Sequence, residues 1–215
     1  MPIRLKFAAS ALLACLSFPS AAADWSPMSR ERALEETRGP LVEKRRLAYA
    51  RLAEVGTMED LPVVLAALWD EEELVRGMAE QVVQGIWMRT DDPVVDPMFQ
   101  TSLRLMMENE PAEALEMLNE VIALKPEFAE AWNRRGDAFL FLGDPDRALA
   151  DYGRAIELNP YQFGTLGSCG QIWLERSEYR KAAEYFRRAL DLNPNQPEMA
   201  LVLIELEEKL ENDRI

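Results

Sequence analysis

A 34-residue period is the feature of this sequence that most constrains its fold. The stretch ALADYGRAIELNP at 148–160 returns as AAEYFRRALDLNP at 182–194, with alanine, an aromatic residue, alanine and proline in the same places. The same phase extends back to residue 95, so that three units follow one another without an insertion. A period of this length is typical of stacked helix pairs, in which each pair buries its apolar face against its neighbours.

The residues that recur at the same position of each unit are small, large or helix-terminating. Small residues at positions 8 and 20 predict a close approach of two helices, and large residues at positions 4, 11 and 24 fill the space beside it. Burying each large side chain contributes roughly 1.5–3 kcal/mol. Proline at position 32 ends the second helix, and Pro145 in the GDPD turn suits the start of one. The residues at positions 4, 8, 11, 20, 24, 27 and 32 are Met98, Ser102, Leu105, Ala114, Leu118, Val121 and Pro126; Trp132, Gly136, Phe139, Ala148, Tyr152, Ala155 and Pro160; and Leu166, Gly170, Trp173, Ala182, Phe186, Ala189 and Pro194.

These residues resemble the tetratricopeptide repeat (TPR) pattern W-x2-L-G-x2-Y, A-x3-F-x2-A and P, closely in the second and third units and more loosely in the first. The resemblance implies an all-α fold, a right-handed α-solenoid of antiparallel helix pairs with a concave face. It divides the chain into units 95–128, 129–162 and 163–196. Residues 197–215 predict an amphipathic helix, polar on its outer side, that caps the open end of the solenoid.

Residues 24–94 predict a separate helical region. Leu61, Leu65 and Leu68 mark one helix, Asp70 a turn, and the segment from Val75 to Ile86 a second helix. This pattern resembles a HEAT-type unit over about 41–89, with part of another unit before it. An irregular helical cap is the alternative. The Asp- and Pro-rich segment 89–97 predicts the joint to the repeats.

Residues 1–23 have the layout of a secretory signal peptide. Arg4 and Lys6 precede an apolar run that is shorter than the roughly 20 residues of a membrane span, and three alanines end at position 23. We therefore expect a periplasmic or secreted protein with no transmembrane segment after cleavage. A retained membrane anchor and a lipoprotein attached through Cys15 are the alternatives.

Composition argues against several kinds of chemistry. The chain has no histidine, which excludes imidazole catalysis and His-ligated zinc. Phosphate-binding glycine motifs and a spaced calcium loop are missing, and the acidic stretches at 69–73 and 90–96 are interpreted as solvated turns. Loss of the leader moves the net charge from −14 to −16, which repels nucleic acid, and leaves Cys169 as a buried small residue. We expect no enzymatic activity and no cofactor.

The concave face implied by the resemblance would be lined by helix positions 2, 5, 6, 9, 12 and 13 of each unit. Its apolar, methionine-containing character suits a bound helix or extended peptide, and Arg134 is the best candidate to pair with a ligand carboxylate. The carboxylate clamp that some family members carry at positions 5 and 9 is absent. The residues we expect to contact a partner are Phe99, Leu103, Met106, Met107, Asn133, Arg134, Asp137, Phe141, Gln171 and Leu174.

Two alternatives qualify that expectation. Met106, Met107 and Phe141 could instead pack against the N-terminal region or the next helix. Arg135 stands where the family has leucine, and its partner, an acidic neighbour or a surface, is left open by the sequence.

These features favour an exported scaffold or adaptor that binds a protein or peptide partner. The runs AEAWNRRGDAFLFLGD and LNPYQFGTLGSCGQIW also resemble small exported repeat proteins of Gram-negative bacteria. A periplasmic chaperone or assembly factor is the first alternative. The second is a structural module that forms homo-oligomers through Trp25, Trp69 or Trp87.

Overall fold

The computed structural model describes residues 28–212, which form eleven α-helices and no β-strand. The predicted leader, with Cys15, lies outside the described residues, as does Trp25. The all-α solenoid predicted from the period is confirmed. The helices are α1 (Arg30–Glu36), α2 (Val42–Val55), α3 (Leu61–Ala66), α4 (Glu73–Trp87), α5 (Val95–Met107), α6 (Pro111–Leu124), α7 (Ala129–Phe141), α8 (Pro145–Leu158), α9 (Phe163–Glu175), α10 (Tyr179–Leu192) and α11 (Pro197–Asn212).

The repeats form three helical hairpins, α5 with α6, α7 with α8, and α9 with α10. The turn inside each hairpin has one residue with a left-handed backbone, namely Asn109 (φ 64°), Gly143 (φ 78°) and Ser177 (φ 60°). In the second hairpin the Gly143 N–H donates to Leu140 O at 3.0 Å, and the next N–H donates to Phe139 O at 2.9 Å. This pair of bonds satisfies the last carbonyls of the first helix, and the other two turns repeat it. The turn predicted from GDPD and the helix ends predicted before Asn-Pro are confirmed.

The two helices of a hairpin touch where the sequence has its small residues. A Cβ atom added to Gly136 would lie 2.5 Å from Cε1 of Tyr152, and one added to Gly170 would lie 2.6 Å from the ring of Phe186. Contacts this short do not occur between real atoms, so position 8 must stay small for the ring at position 24 to fit. Gly164, which precedes Gly170 on the same helix, has no such neighbour within 4 Å.

Arg135 links two successive hairpins. Its guanidinium donates to both carboxylate oxygens of Asp151 on α8, at 2.7 and 2.8 Å, and to Asn119 Oδ1 on α6 at 2.8 Å. The guanidinium carbon also lies 4.7 Å from the ring centre of Trp132. Its partners are therefore an acidic neighbour and the preceding unit, which answers the question left open by the sequence.

The N-terminal helices α1–α4 pack against the loops that connect successive hairpins. The rings of Trp87 at the end of α4 and Phe163 at the start of α9 are 5.2 Å apart. Asn195 Nδ2, in the loop after α10, donates to Leu68 O at 2.7 Å. Residues 28–88 thus share one hydrophobic core with the third repeat unit. The HEAT-like resemblance of this region stays a prediction.

Helix α11 packs against the third hairpin. Leu206 is buried there, and Met199 reaches the backbone of Gly167. The outer side of α11 differs from the prediction, because Leu201 and Ile204 are exposed among its acidic residues. Ile204 is at position 8, where the other first helices meet the second helix of their own unit, and the described chain has no helix after α11.

Candidate functional site: the concave face of the repeats

Apolar side chains protrude from the C-terminal ends of the first helices of the hairpins. Met107 ends α5 and is 88% exposed, and Phe141 occupies the same position at the end of α7 and is 59% exposed. Their exposure shows that neither packs under the N-terminal region. Leu103, Met106 and Leu174 are half-buried, and Gln171 is exposed. These residues form an open, largely apolar surface that a partner could cover.

Phe99 does not belong to this surface. Its side chain is fully buried, and its ring meets that of Phe128 edge-on, with the ring centres 4.9 Å apart. The N-terminal turn of α5 therefore contributes to the core between the first and second units. Its predicted role in partner contact does not fit this burial.

Arg134 is already paired inside the fold. Its guanidinium lies 2.8 Å from Glu130 Oε1 and 3.2 Å from Asp137 Oδ2, both on its own helix. Burial raises the pKa of Glu130, and the positive charge of Arg134 opposes that rise. Both terminal nitrogens of Arg134 are thus already paired with carboxylates, and its Nε is buried without a partner.

A polar network around Arg134 joins α7 to the next two helices. The Tyr152 hydroxyl on α8 donates to Asp137 Oδ1 at 2.8 Å. Asn133 Nδ2 donates to Glu130 at 3.2 Å, and Thr165 Oγ1 on α9 lies 2.8 Å from Asn133 Oδ1. The structure thus brings Asn133, Arg134 and Asp137 into one hydrogen-bonded network, and their contact with a partner stays a prediction. Each of the three side chains already has partners inside the fold, whereas the apolar ends of the helices are exposed.

The sequence analysis missed the glutamines of the loops between hairpins. Gln162 Nε2 donates to the buried Glu130 carboxylate at 2.9 Å. Its equivalent 34 residues later, Gln196, donates to Glu80 on α4 at 3.3 Å. The available signal was the N-P-x-Q motif, which occurs at 159–162 and again at 193–196.

The acidic stretch before α5 satisfies backbone donors. Asp92 Oδ1 accepts from Val94 N at 2.8 Å and Val95 N at 3.1 Å, and Asp96 Oδ1 accepts from both the backbone and the hydroxyl of Thr90. Between residues 28 and 212, no three side chains of metal-binding type come together. Within the same limits, no helix has the length and apolar character needed to cross a membrane.

Cys169 is enclosed in the core of the third unit. Its side chain is 1% exposed, and burial raises the pKa of the thiol to about 12. A protonated, enclosed thiol is a poor nucleophile. This environment agrees with the interpretation of Cys169 as a small core residue.

Two models described as "Tetratricopeptide repeat" match the chain, at residues 129–162 and 170–213. A TPR repeat-containing protein of Rhizobium etli is 27% identical over 60% of this chain and 63% of its own length. Human Superkiller complex protein 3 is 38% identical over 30% of this chain, which corresponds to 4% of the human protein. The chain thus spans less than two thirds of both relatives.

Solved structures share the helical-repeat fold. The first TPR of Spaghetti, bound to an HSP90 peptide, has a TM-score of 0.51 at 18% identity, over 54% of this chain and 92% of that one. The Sgt2 TPR domain from Aspergillus fumigatus has the same score and identity, over 57% of this chain and 83% of that one. With three helix pairs in one phase and two matching family models, residues 129–162 and 170–213 of this chain are identified as tetratricopeptide repeats.

Proposed function

We propose that this protein is an exported scaffold that binds a protein or peptide partner on the concave face of its repeats. Export to the periplasm or cell exterior rests on the leader predicted at 1–23. Binding rests on the fold and on the open apolar surface at the helix ends. The similar TPR of Spaghetti, with its HSP90 peptide, illustrates a peptide held by this fold.

The observation that carries the proposal is the exposure of Met107 and Phe141 at equivalent positions of successive units. Covering one such side chain contributes roughly 1.5–3 kcal/mol, so two of them supply a large part of a micromolar affinity of about 8 kcal/mol. A repeated spacing along neighbouring helices suits a partner with two apolar side chains in one extended or helical segment. The net charge of −14 favours a neutral or basic segment.

The test compares groove and non-groove variants of similar chemistry. A partner captured from envelope extract is identified and purified, and its dissociation constant is measured for the native protein and for a Met107→Glu, Phe141→Glu double variant. Leu47→Glu on α2, where the native side chain is also exposed (61%), is the matched control. We expect the groove variant to weaken binding at least about tenfold and the control to change it less than about twofold. Equal affinities of the three proteins would refute the groove assignment.

Self-association is a second candidate, favoured by one observation. Trp69 is 62% exposed and Leu74, five residues later, is 61% exposed, whereas Trp87 is buried and cannot form such a contact. A Trp69→Gln variant should remove any concentration-dependent increase in mass seen by light scattering. A native protein that stays monomeric at all concentrations would eliminate this candidate. Binding of many unfolded segments with similar weak affinity would instead indicate the chaperone role.

A further inference from the structure

A cavity of about 440 Å³ separates the N-terminal region from the two loops between the repeats, after α6 and after α8. At the equivalent loop between α10 and α11, the N-terminal region is in direct contact through Asn195 and Gln196. At the first two loops it is held away, and the Lys125 ammonium bridges the gap by donating to Thr90 O at 3.1 Å. The volume is within the range of small-molecule sites, which is about 300–1,000 Å³.

The interior of the cavity is apolar. Ile86 and Trp87 line it from α4, and Phe128 and Leu158 line it from the repeats. The first three are no more than 8% exposed. Such walls favour an aromatic or branched aliphatic body, which would lose its contact with water on entering.

Two side-chain donors in the wall have no hydrogen-bond acceptor among residues 28–212. Asn159 lines the cavity and is 2% exposed, and its Oδ1 accepts from Tyr161 N at 3.2 Å. No group in residues 28–212 accepts a hydrogen bond from its Nδ2. The indole Nε1 of Trp87, in the same wall, also has no acceptor in this part of the chain. Of these two donors only Trp87 Nε1 is fully enclosed without an acceptor, which is uncommon in native proteins. Asn159 Nδ2 keeps some accessible surface and is therefore the donor within reach of a ligand that presents acceptor atoms.

The charged side chains around the cavity differ in how deeply they are buried. Arg89 and Lys125 are half-buried and, among the described residues, donate only to carbonyl oxygens rather than to carboxylates. The carboxylates of Glu59, Asp91 and Glu127 are exposed at the rim, where water and salt screen them. The buried Glu130 carboxylate is already paired with Arg134. The two half-buried cations are therefore the charges of the lining that make no direct contact with a carboxylate among the described residues.

We propose that this cavity binds a small organic anion, namely a monocarboxylate with an aromatic or branched aliphatic body. The body lies against Trp87, Phe128 and Leu158, and the carboxylate accepts from Asn159 Nδ2 with Lys125 beside it. Neither the peptide groove nor the polar network of α7 is needed for this binding. The site is thus separate from the proposed partner surface, and either assignment can fail without the other.

The test uses 3-phenylpropionate as the probe and 3-phenylpropan-1-ol, which lacks the charge, as its matched control. The full chain is labelled with ¹⁵N, and its five tryptophan indole signals are followed by NMR, with Trp87 assigned through Trp87→Phe. We expect a saturable shift of the Trp87 indole signal with a dissociation constant of about 0.1–1 mM for the acid. The alcohol should bind at least about fivefold more weakly.

Two variants locate the ligand. Lys125→Gln keeps a donor for Thr90 O but removes the charge. It should weaken binding of the acid about fivefold and change the affinity for the alcohol by less than about twofold. Leu158→Trp fills the cavity and should abolish both shifts, with amide signal dispersion as the check on folding. If that variant does not fold, Met58→Trp, from the opposite wall, replaces it.

Three results would overturn the proposal. They are a Trp87 signal that does not shift saturably, equal affinity for acid and alcohol, and binding that survives filling of the cavity in a folded variant. The first would leave the cavity without a ligand of this class. Equal affinity for acid and alcohol would show that the ligand's negative charge does not contribute to binding. Binding that survives filling of the cavity would place the ligand elsewhere.

Discussion

Replacing Arg135 by leucine, the residue usual at this position of the repeat, should destabilise this protein strongly. Arg135 gives Asp151 two hydrogen bonds of 2.7 and 2.8 Å, and the side chains are 17% and 8% exposed. Without the guanidinium, the Asp151 carboxylate stays in a nearly dry site with no opposite charge. Breaking a buried ion pair in this way costs about 3–5 kcal/mol, and the partial exposure of Arg135 puts the expected value near about 3 kcal/mol.

The double variant Arg135→Leu, Asp151→Leu separates the cost of an unpaired charge from the worth of the pair. Because two apolar side chains can replace a buried pair at little cost, the free energy of unfolding should return to within about 1 kcal/mol of the native value. The exposed pair Arg104–Glu108, with side chains 58% and 47% exposed, supplies the control. Arg104→Leu should cost no more than about 0.5 kcal/mol.

Urea unfolding followed by circular dichroism gives the free energy of unfolding of all four proteins, namely the native protein, the two single variants and the double variant. A cost of about 3 kcal/mol corresponds to a midpoint temperature lowered by roughly 6–12 °C for a chain of this size. If Arg135→Leu were as mild as Arg104→Leu, the pair would be solvated and the reasoning from burial would be wrong. If the double variant were as unstable as the single one, the loss would come from the contacts of Arg135 with Trp132 and Asn119 instead.

Three further predictions follow from the packing and the charges. Gly136→Ala should lower the free energy of unfolding by about 2–3 kcal/mol because the methyl group meets a buried tyrosine ring at 2.5 Å, whereas Gly153→Ala, with nothing within 4 Å, should raise it by up to about 1 kcal/mol. Burial raises the pKa of Asp60, but hydrogen bonds and charge from Arg30 outweigh burial and leave the pKa below its usual value. The ionised carboxylate therefore stabilises the fold above its unfolded-state pKa of about 3.9, and this stabilisation is lost as pH falls through the lowered folded-state pKa. The free energy of unfolding that Asp60→Asn loses relative to the native protein should be largest near neutrality and shrink below about pH 4, as measured by urea titrations. Iodoacetamide should modify Cys169 only at the rate of local opening, and peptide mass spectrometry that found rapid native-state modification would contradict its burial.

The repeat architecture could be predicted because its determinants are local and occur three times. A small residue at position 8 and a ring at position 24 belong to one hairpin, and Gly136 with Tyr152 shows the contact that this spacing encodes. The helix ends are equally local, since proline and left-handed turn residues act on their own backbone. Burial at these positions was therefore fixed by the period alone.

The candidate site could be predicted only in part. Met107 and Phe141, which the resemblance assigns to the partner surface, are exposed, and their contact with a partner stays a prediction. The resemblance also placed Phe99 there, where the loop before the second unit brings Phe128 over its ring. The pairing of Arg134 with Glu130 has a local signal in the sequence, the i,i+4 spacing of opposite charges on one helix. The assignment of Arg134 to a ligand carboxylate did not use this signal.

The arrangement of the N-terminal region has no periodic signal. Its contact with the last loop joins Leu68 to Asn195, which are 127 residues apart, and its ring contact joins Trp87 to Phe163. Each contact occurs once, so no second copy in the sequence reveals it. The loops after α6, α8 and α10 are nevertheless similar enough that a region docked on one could have sealed all of them. The N-terminal region seals only the loop after α10 and leaves Asn159, in the loop after α8, facing a cavity. This difference is a property of the tertiary packing, and it is therefore the part of the molecule that most requires the structure.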